Sequence, residues 1–412
     1  MAKASKVVYR EISKEGAGFY LSLGIVGIVA LLGVFAAHYM ETSGHHVTGM
    51  NNQIVWGLPH VFAIFLIVAA SGALNVASIG SVFGKTAYKP LARLSGLLAI
   101  ALLAGGLAVL VLDLGRPDRL IVAATTYNFK SIFAWNIFLY TGFLAIVAVY
   151  IWMMLEPKMN HYSSGVGVVA FVWRLALTTG TGLIFGFLVA RQGYDAAVFA
   201  PLFILMSFSL GLAVFILVLA LSAASEDRPL GDYIVLKLGR LLGLFVAGVL
   251  YFVIVQHLTN LYATEHHGIE RFILLGGGPI TKLFWLGQIV IGSLVPLMIL
   301  YVPAFNKSKT NIYIAAGLVI LGGLSQLYVI IIGGQAYPLV LFPRMEVKSS
   351  FFDGVINSYS ASLPEFVLGI GGVAVAGVIT MIGLKILRFL PVNLSDETFD
   401  PHFKKTPYTK EH

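Results

Sequence analysis

The sequence predicts an all-α polytopic membrane protein with ten transmembrane helices. Three observations predict it. The chain of 412 residues is 58% hydrophobic and only 11% charged, whereas a soluble domain carries about 25% charged residues. So little charge cannot cover a water-exposed surface, which excludes a soluble globular enzyme, a disordered chain and a disulfide scaffold together. The apolar residues also fall into ten runs, each close to or above the roughly 20 residues that span a bilayer. Finally, the runs are unbroken rather than alternating. That disfavours a β-barrel, and in lipid the helix is the remaining way to satisfy the backbone.

The runs cover residues 17–39, 54–80, 92–113, 131–153, 166–190, 197–222, 236–260, 281–302, 311–332 and 364–387. The first follows Lys3, Lys6, Arg10 and Lys14, as a signal peptide would. It is too long for a signal h-region and nine runs follow, so it reads as a retained helix. Most of the 27 Lys and Arg lie in segments on the N-terminal side of the membrane. The positive-inside rule then places both termini in the cytoplasm; the expected location is a bacterial or archaeal cytoplasmic membrane. The net charge of +8 is read as this topology, not as affinity for nucleic acid. Connections are short except for 333–363, on the outer side, a length that suggests partner docking.

An internal repeat is legible at an offset of four helices. Arg93-Leu94-Ser95-Gly96-Leu97-Leu98 aligns with Lys237-Leu238-Gly239-Arg240-Leu241-Leu242, and Asp113 aligns with His257. Pro59 and Pro201 open the second and sixth spans. The expected organisation is a first four-helix bundle over 17–153, a second over 166–302, two additional helices over 311–387 and a cytoplasmic tail over 388–412.

Ionisable residues are costly in a bilayer and direct attention to function. His38 ends the first span, Trp56 and His60 open the second, Asp113 ends the third, and Trp135, Asn136 and Tyr140 open the fourth. All reach one level near the outer face. An imidazole and a carboxylate can exchange protons with a bound group, an amide or phenol can hydrogen-bond a carbonyl, and aromatic walls suit a flat apolar ligand. Together they fit a quinone headgroup, with His60 and Asp113 in the catalytic role. The bland readings stand beside this one. Trp56 and Trp135 also fit an interfacial belt, Tyr140 a core, and Asp113 an ion pair with Arg116. Asn75, Arg174, Thr178, Gln256, His257 and Gln288 form a candidate proton path, most of it assigned to the second bundle. Arg174 alternatively snorkels to the inner interface. No chain of buried carboxylates is visible, so a complete path would need water.

Gly276-Gly277-Gly278-Pro279 lacks the lysine of a phosphate loop and reads as a turn. The pairs His45-His46 and His266-His267 are weak metal signals, and no metal site is expected. With no cysteine and few membrane histidines, all toward one face, neither an iron–sulfur cluster nor a haem is expected in this chain.

Several motifs carry a resemblance. Trp56-Gly57-Leu58-Pro59-His60, Leu112-Asp113-Leu114-Gly115-Arg116-Pro117 and Phe133-Ala134-Trp135-Asn136 resemble the NrfD/PsrC family of polysulfide-reductase-type membrane subunits. The ten-span length, Phe284-Trp285 with Pro296, and Gly333-Gly334-Gln335-Ala336-Tyr337-Pro338 resemble its larger branch. That branch includes the Qrc, alternative complex III, DsrP and HybB membrane subunits. The resemblance covers roughly residues 17–390. It implies a quinone, menaquinone by family habit, bound in the first bundle near the periplasmic face. It implies a ferredoxin-like iron–sulfur subunit docked outside, with Arg116 and Arg119 as docking candidates. A molybdopterin-type subunit or a multihaem cytochrome c would complete the complex. The expected function is thus a quinone-interacting membrane subunit of a respiratory oxidoreductase complex, with proton movement an open addition. The alternatives are a secondary transporter or ion-translocating subunit without quinone chemistry, and a haem-bearing cytochrome b subunit.

Overall fold

The structure is a computed structural model that describes residues 7–13, 16–276, 278–339, 354–400 and 403. Residues 340–353 of the 333–363 connection, Gly277, and residues 401, 402 and 404–412 of the tail expected at 388–412 lie outside the described residues. Among the described residues ten helices are long and apolar enough to cross a membrane. They are α1 (Ala17–Ser43), α2 (Leu58–Ser81), α3 (Ala87–Leu112), α4 (Ile132–Leu155), α5 (Asn160–Gly186), α6 (Phe199–Ser225), α7 (Asp232–Tyr262), α8 (Pro279–Tyr301), α9 (Lys309–Ala336) and α10 (Leu363–Ile386). The protein is therefore a multi-pass all-α membrane protein, as its composition predicts.

Local chemistry starts several of these helices. Proline stands in the first turn of α2, α8 and α10, where its missing N–H costs nothing. Ser362 and Glu365 close a capping box on α10. π-helical segments interrupt α8 at Leu283–Leu294 and α9 at Val329–Gly333. The second of these carries α9 on to Ala336, four residues past its expected end at 332.

The helices group differently from the expected 17–153 and 166–302. α2–α5 pack on one another, as do α6–α9, while α1 packs chiefly along α10. The reason is a small-residue contact: the Gly33 and Gly371 backbones meet so closely that neither position has room for a Cβ. α1 otherwise exposes Leu21, Ile25, Ile28, Leu31 and Phe35, as a helix bathed in lipid would. The two bundles join along α2 and α6, where Gly72 and Gly211 bring the backbones together and leave α2 nearly wholly buried. At the far edge the termini are tied together. Tyr9–Arg10 pairs antiparallel with Leu390–Pro391, so both chain ends leave from one face.

Candidate functional site

The side chains that matter for the first site come from the ends of α2, α3 and α4 away from the termini. Pro59 and the extended Gly57 start α2 so that His60 falls in its first turn. α3 ends at Leu112, with Asp113 as its C-cap. His60 Nδ1 lies 2.7 Å from Asp113 Oδ2, and the Asp113 side chain is only 1% exposed. The approach is close but poorly aligned, so His60 Nδ1 and both Asp113 oxygens keep hydrogen-bonding capacity. A buried carboxylate facing an imidazole is an arrangement that can hold one proton between two groups.

His60 is also part of the wall of an open cavity of about 460 Å³ lined by α2, α3, α4 and α5, with Ile331 of α9. The wall is mostly aliphatic and aromatic: Ile64, Leu107, Leu110, Phe133, Ile184 and Phe185 contribute, with His60, Asn136, Tyr140 and Thr141 as its polar members. Asp113 stands behind His60, outside the wall. With Nδ1 turned to Asp113, the other ring nitrogen of His60 is the one left for the cavity. Asn136 Nδ2 donates to the Ile132 and Gly180 carbonyls, while its buried Oδ1 has no partner. The Tyr140 hydroxyl touches Thr181 Oγ1 at 3.4 Å. Trp56 stacks on His60 with ring centroids 6.1 Å apart and lines the same space.

Two expected members lie elsewhere. His38 is exposed on α1 and does not line this cavity, although the neighbouring Ala37 and Met40 pack against Ala63 and Val109. Trp135 is 47% exposed and donates its indole N–H to the Phe129 carbonyl, on the outer surface of α4. Nor does Arg116 neutralise Asp113. It pairs with Asp118 at 2.9 Å on the surface, and its hydrogen bonds hold the Asp118 carboxyl below the ordinary range. Arg119 is exposed beside them.

Sequence reasoning missed the frame that holds Trp56. The Gln335 side chain is fully buried. Its Oε1 accepts from the Val55 and Trp56 amides, and its Nε2 donates to the Trp56 and Ile331 carbonyls. Gln53 and Arg191 brace the same turn, Arg191 donating to the Gln53 and Gln335 carbonyls. Burial lowers the Arg191 guanidinium from its ordinary value. Tyr194 stacks on Trp56 and donates to the Ile331 carbonyl at 2.7 Å. The only sequence signal was the Gly-Gly-Gln-Ala-Tyr-Pro motif, which carries no hint of its target.

The candidate path residues separate into two groups. Arg174 and Thr178 belong to α5 and so to the first bundle rather than the second. Arg174 is completely buried and does not snorkel. It donates to Asn75 Oδ1 at 2.9 Å, and its Nε and Nη1 have no partner. Thr178 meets Ser71 at 3.1 Å one turn on. In the second bundle Gln256, His257 and Gln288 gather around a cavity of about 20 Å³ with Gln326. His257 contacts a carboxylate there: its Nδ1 is 2.7 Å from Glu270 Oε2, and Asn260 donates to Glu270 Oε1 at 2.9 Å. Glu270 comes from the short helix His267–Leu275, which folds back under α7. Among the described residues the buried carboxylates are Asp113, which the sequence singled out, and Glu270 and Glu365, which it did not. All three lie at or beyond helix ends in the sequence. Each bundle thus carries one His–carboxylate contact.

Among known proteins, the family described as "Polysulphide reductase, NrfD" matches residues 46–338. An Hdr-like menaquinol oxidoreductase integral membrane subunit of Archaeoglobus fulgidus is 26% identical, over 96% of this chain and 99% of that protein. A selenate reductase subunit of Mesobacillus selenatarsenatis is 21% identical, over 93% of this chain and 97% of its own. The menaquinone reductase integral membrane subunit of Nitratidesulfovibrio vulgaris is 22% identical, over 90% and 92%.

Proposed function

This chain belongs to the polysulphide reductase NrfD family, and from that premise we propose that it is the quinone-binding membrane subunit of a respiratory oxidoreductase complex. The observation that carries the reading is the His60–Asp113 contact at the wall of the aromatic-lined cavity. Relatives named for menaquinol and menaquinone chemistry support menaquinone as the ligand. The cavity lies within the ~300–1,000 Å³ range of small-molecule sites. It offers a stacked indole for a flat ring and, at Asn136 Oδ1, an orphaned acceptor.

When bound, the quinone supplies the two-electron, two-proton redox chemistry. The chain does the rest. His60 moves a proton at its cavity-facing nitrogen, and Asp113 steadies the charge that the imidazole gains. The Tyr140 hydroxyl can donate to a headgroup carbonyl, Asn136 Oδ1 can accept from a hydroxyl of the quinol form, and the aliphatic wall excludes water. Electrons would pass between the site and a periplasmic ferredoxin-like iron–sulfur subunit docked over Arg116, Arg119 and the exposed Ile121 and Val122. A molybdopterin-type or multihaem cytochrome partner would lie beyond it. In this reading the membrane is the cytoplasmic membrane with the termini inside. Asn75–Arg174–Thr178 and Gln256–His257–Gln288 with Glu270 are the groups through which proton movement would pass.

The test is solvent extraction of quinone from the gently purified complex, with His60→Ala alongside. Quinone in the parent and its loss in the variant support the reading. A chain that purifies without quinone and drives substrate uptake in vesicles would overturn it.

A further inference from the structure

A second place on the molecule has the chemistry of a binding site and belongs to neither His–carboxylate contact. Two cavities, of about 650 and 410 Å³, meet at Arg93 and Tyr9, which line both. They lie on the face that carries the termini, at the ends of α2, α3, α4 and α10. The larger is the mouth of the first bundle and adds Lys89 and His161. The smaller opens outward between α4 and α10 over Leu155, Ile386 and Leu387.

Charge is unbalanced here. The Arg93 guanidinium donates to the Met154 and Arg388 carbonyls at 2.6 and 3.0 Å and stacks 3.9 Å over the Tyr9 ring. Those bonds fix its position without neutralising it. The neighbouring carboxylate, Glu11, is taken up by Arg388 at 3.5 Å. Beside this fixed charge lies an apolar surface that water does not favour, with Ile386 69% and Leu387 42% exposed. A site with an uncompensated cation at the membrane edge and aliphatic side chains leading away from it matches one chemistry: a phosphate carrying acyl chains.

We propose that this site holds an anionic phospholipid, its phosphate at Arg93 and Lys89 and its chains along the ends of α4 and α10. Basic pockets between helices at a headgroup level recognise lipid phosphates in this way. The proposal is independent of what the outer cavity binds.

The purified full-length protein, with whatever subunits accompany it, is stripped of lipid and exposed to phosphatidylcholine vesicles with or without phosphatidylglycerol. Retained lipid is read by native mass spectrometry, and the unfolding midpoint is read in parallel. Phosphatidylglycerol should be retained and should raise the midpoint, and phosphatidylcholine should do neither. Arg93→Gln should weaken retention about fivefold or more. Arg93 also bonds two carbonyls, so Lys89→Gln, on an exposed side chain, provides the second variant, with a similar loss. Equal retention of both lipids, or variants that hold phosphatidylglycerol as the parent does, would overturn the proposal. So would inorganic phosphate raising the midpoint as far as the lipid does, because the site would then take a free anion.

Discussion

At the scale of single residues the His60–Asp113 contact separates binding from proton handling. His60 lines the cavity and stacks on Trp56, whereas Asp113 lies behind it. His60→Ala should therefore weaken quinone binding about ten- to a hundredfold, the loss of a hydrogen bond to a chargeable group. Asp113→Asn keeps the shape but cannot take up charge. It should leave quinone binding within severalfold and lower quinone-linked turnover by about 100-fold or more. A titration of quinone fluorescence quenching beside steady-state turnover separates the two, and equal losses in both measurements for Asp113→Asn would refute the division. Arg174 invites a different test. It is buried with one side-chain hydrogen-bond partner, Asn75, and lies over the Phe171 and Phe208 rings, so no carboxylate balances its charge among these contacts. A methionine of similar reach removes that desolvation cost. Arg174→Met should keep or raise the unfolding midpoint, and should abolish quinone-linked proton uptake in vesicles. A large fall in midpoint would mean that the arginine is structural.

Between helices, the sequence was legible in one respect and silent in another. The ten spans and their outer ends follow from apolar run length, and so did the level shared by His60, Asp113, Asn136 and Tyr140. Which helices touch did not follow. A helix in lipid is apolar on every face, so no stripe marks its neighbours, and α1 read like a bundle member although it packs on α10. The glycines that decide this, Gly33 with Gly371 and Gly72 with Gly211, carry no signal of their pairing in one sequence. Glu270 and Gln335 were hidden for a related reason: both lie past the ends of the apolar runs, Glu270 on a short helix beside α7 and Gln335 on the last turn of α9, and each buries its polar group against another segment. Gln335→Leu should show this. It leaves the Val55 and Trp56 amides unpaired, at about 1–3 kcal/mol for each buried group. The unfolding midpoint should fall and quinone should be lost while helical circular dichroism persists. Unchanged quinone content would mean that the Trp56 frame is not needed. Gly72→Val tests the seam between the bundles. Its Cβ would strike the Ser207 backbone carbonyl, which cannot turn aside, so folded protein should not accumulate in the membrane.

For the whole molecule the open question is which way it faces, because that decides where electrons and protons enter. The termini share a face: Tyr9–Arg10 pairs with Leu390–Pro391, and the Ile12 amide donates to the Leu384 carbonyl. The aromatic cavity opens near the opposite face. Basic residues gather on the terminal face, at Lys85, Lys89, Arg93, Lys158, Arg228, Lys237 and Arg240 among others, and such a bias retains loops in the cytoplasm. A green fluorescent protein fused after His412 should therefore fluoresce. Alkaline phosphatase inserted in the loop near Asp195, where positive φ marks a turn, should be active outside. With that orientation, an electron-carrying partner over Arg116 is periplasmic and the His60–Asp113 pair exchanges its protons near the outer surface. The reverse pattern of reporter activity would leave the fold and the cavity as they are. It would move the docking face into the cytoplasm and invert the direction in which turnover charges the membrane.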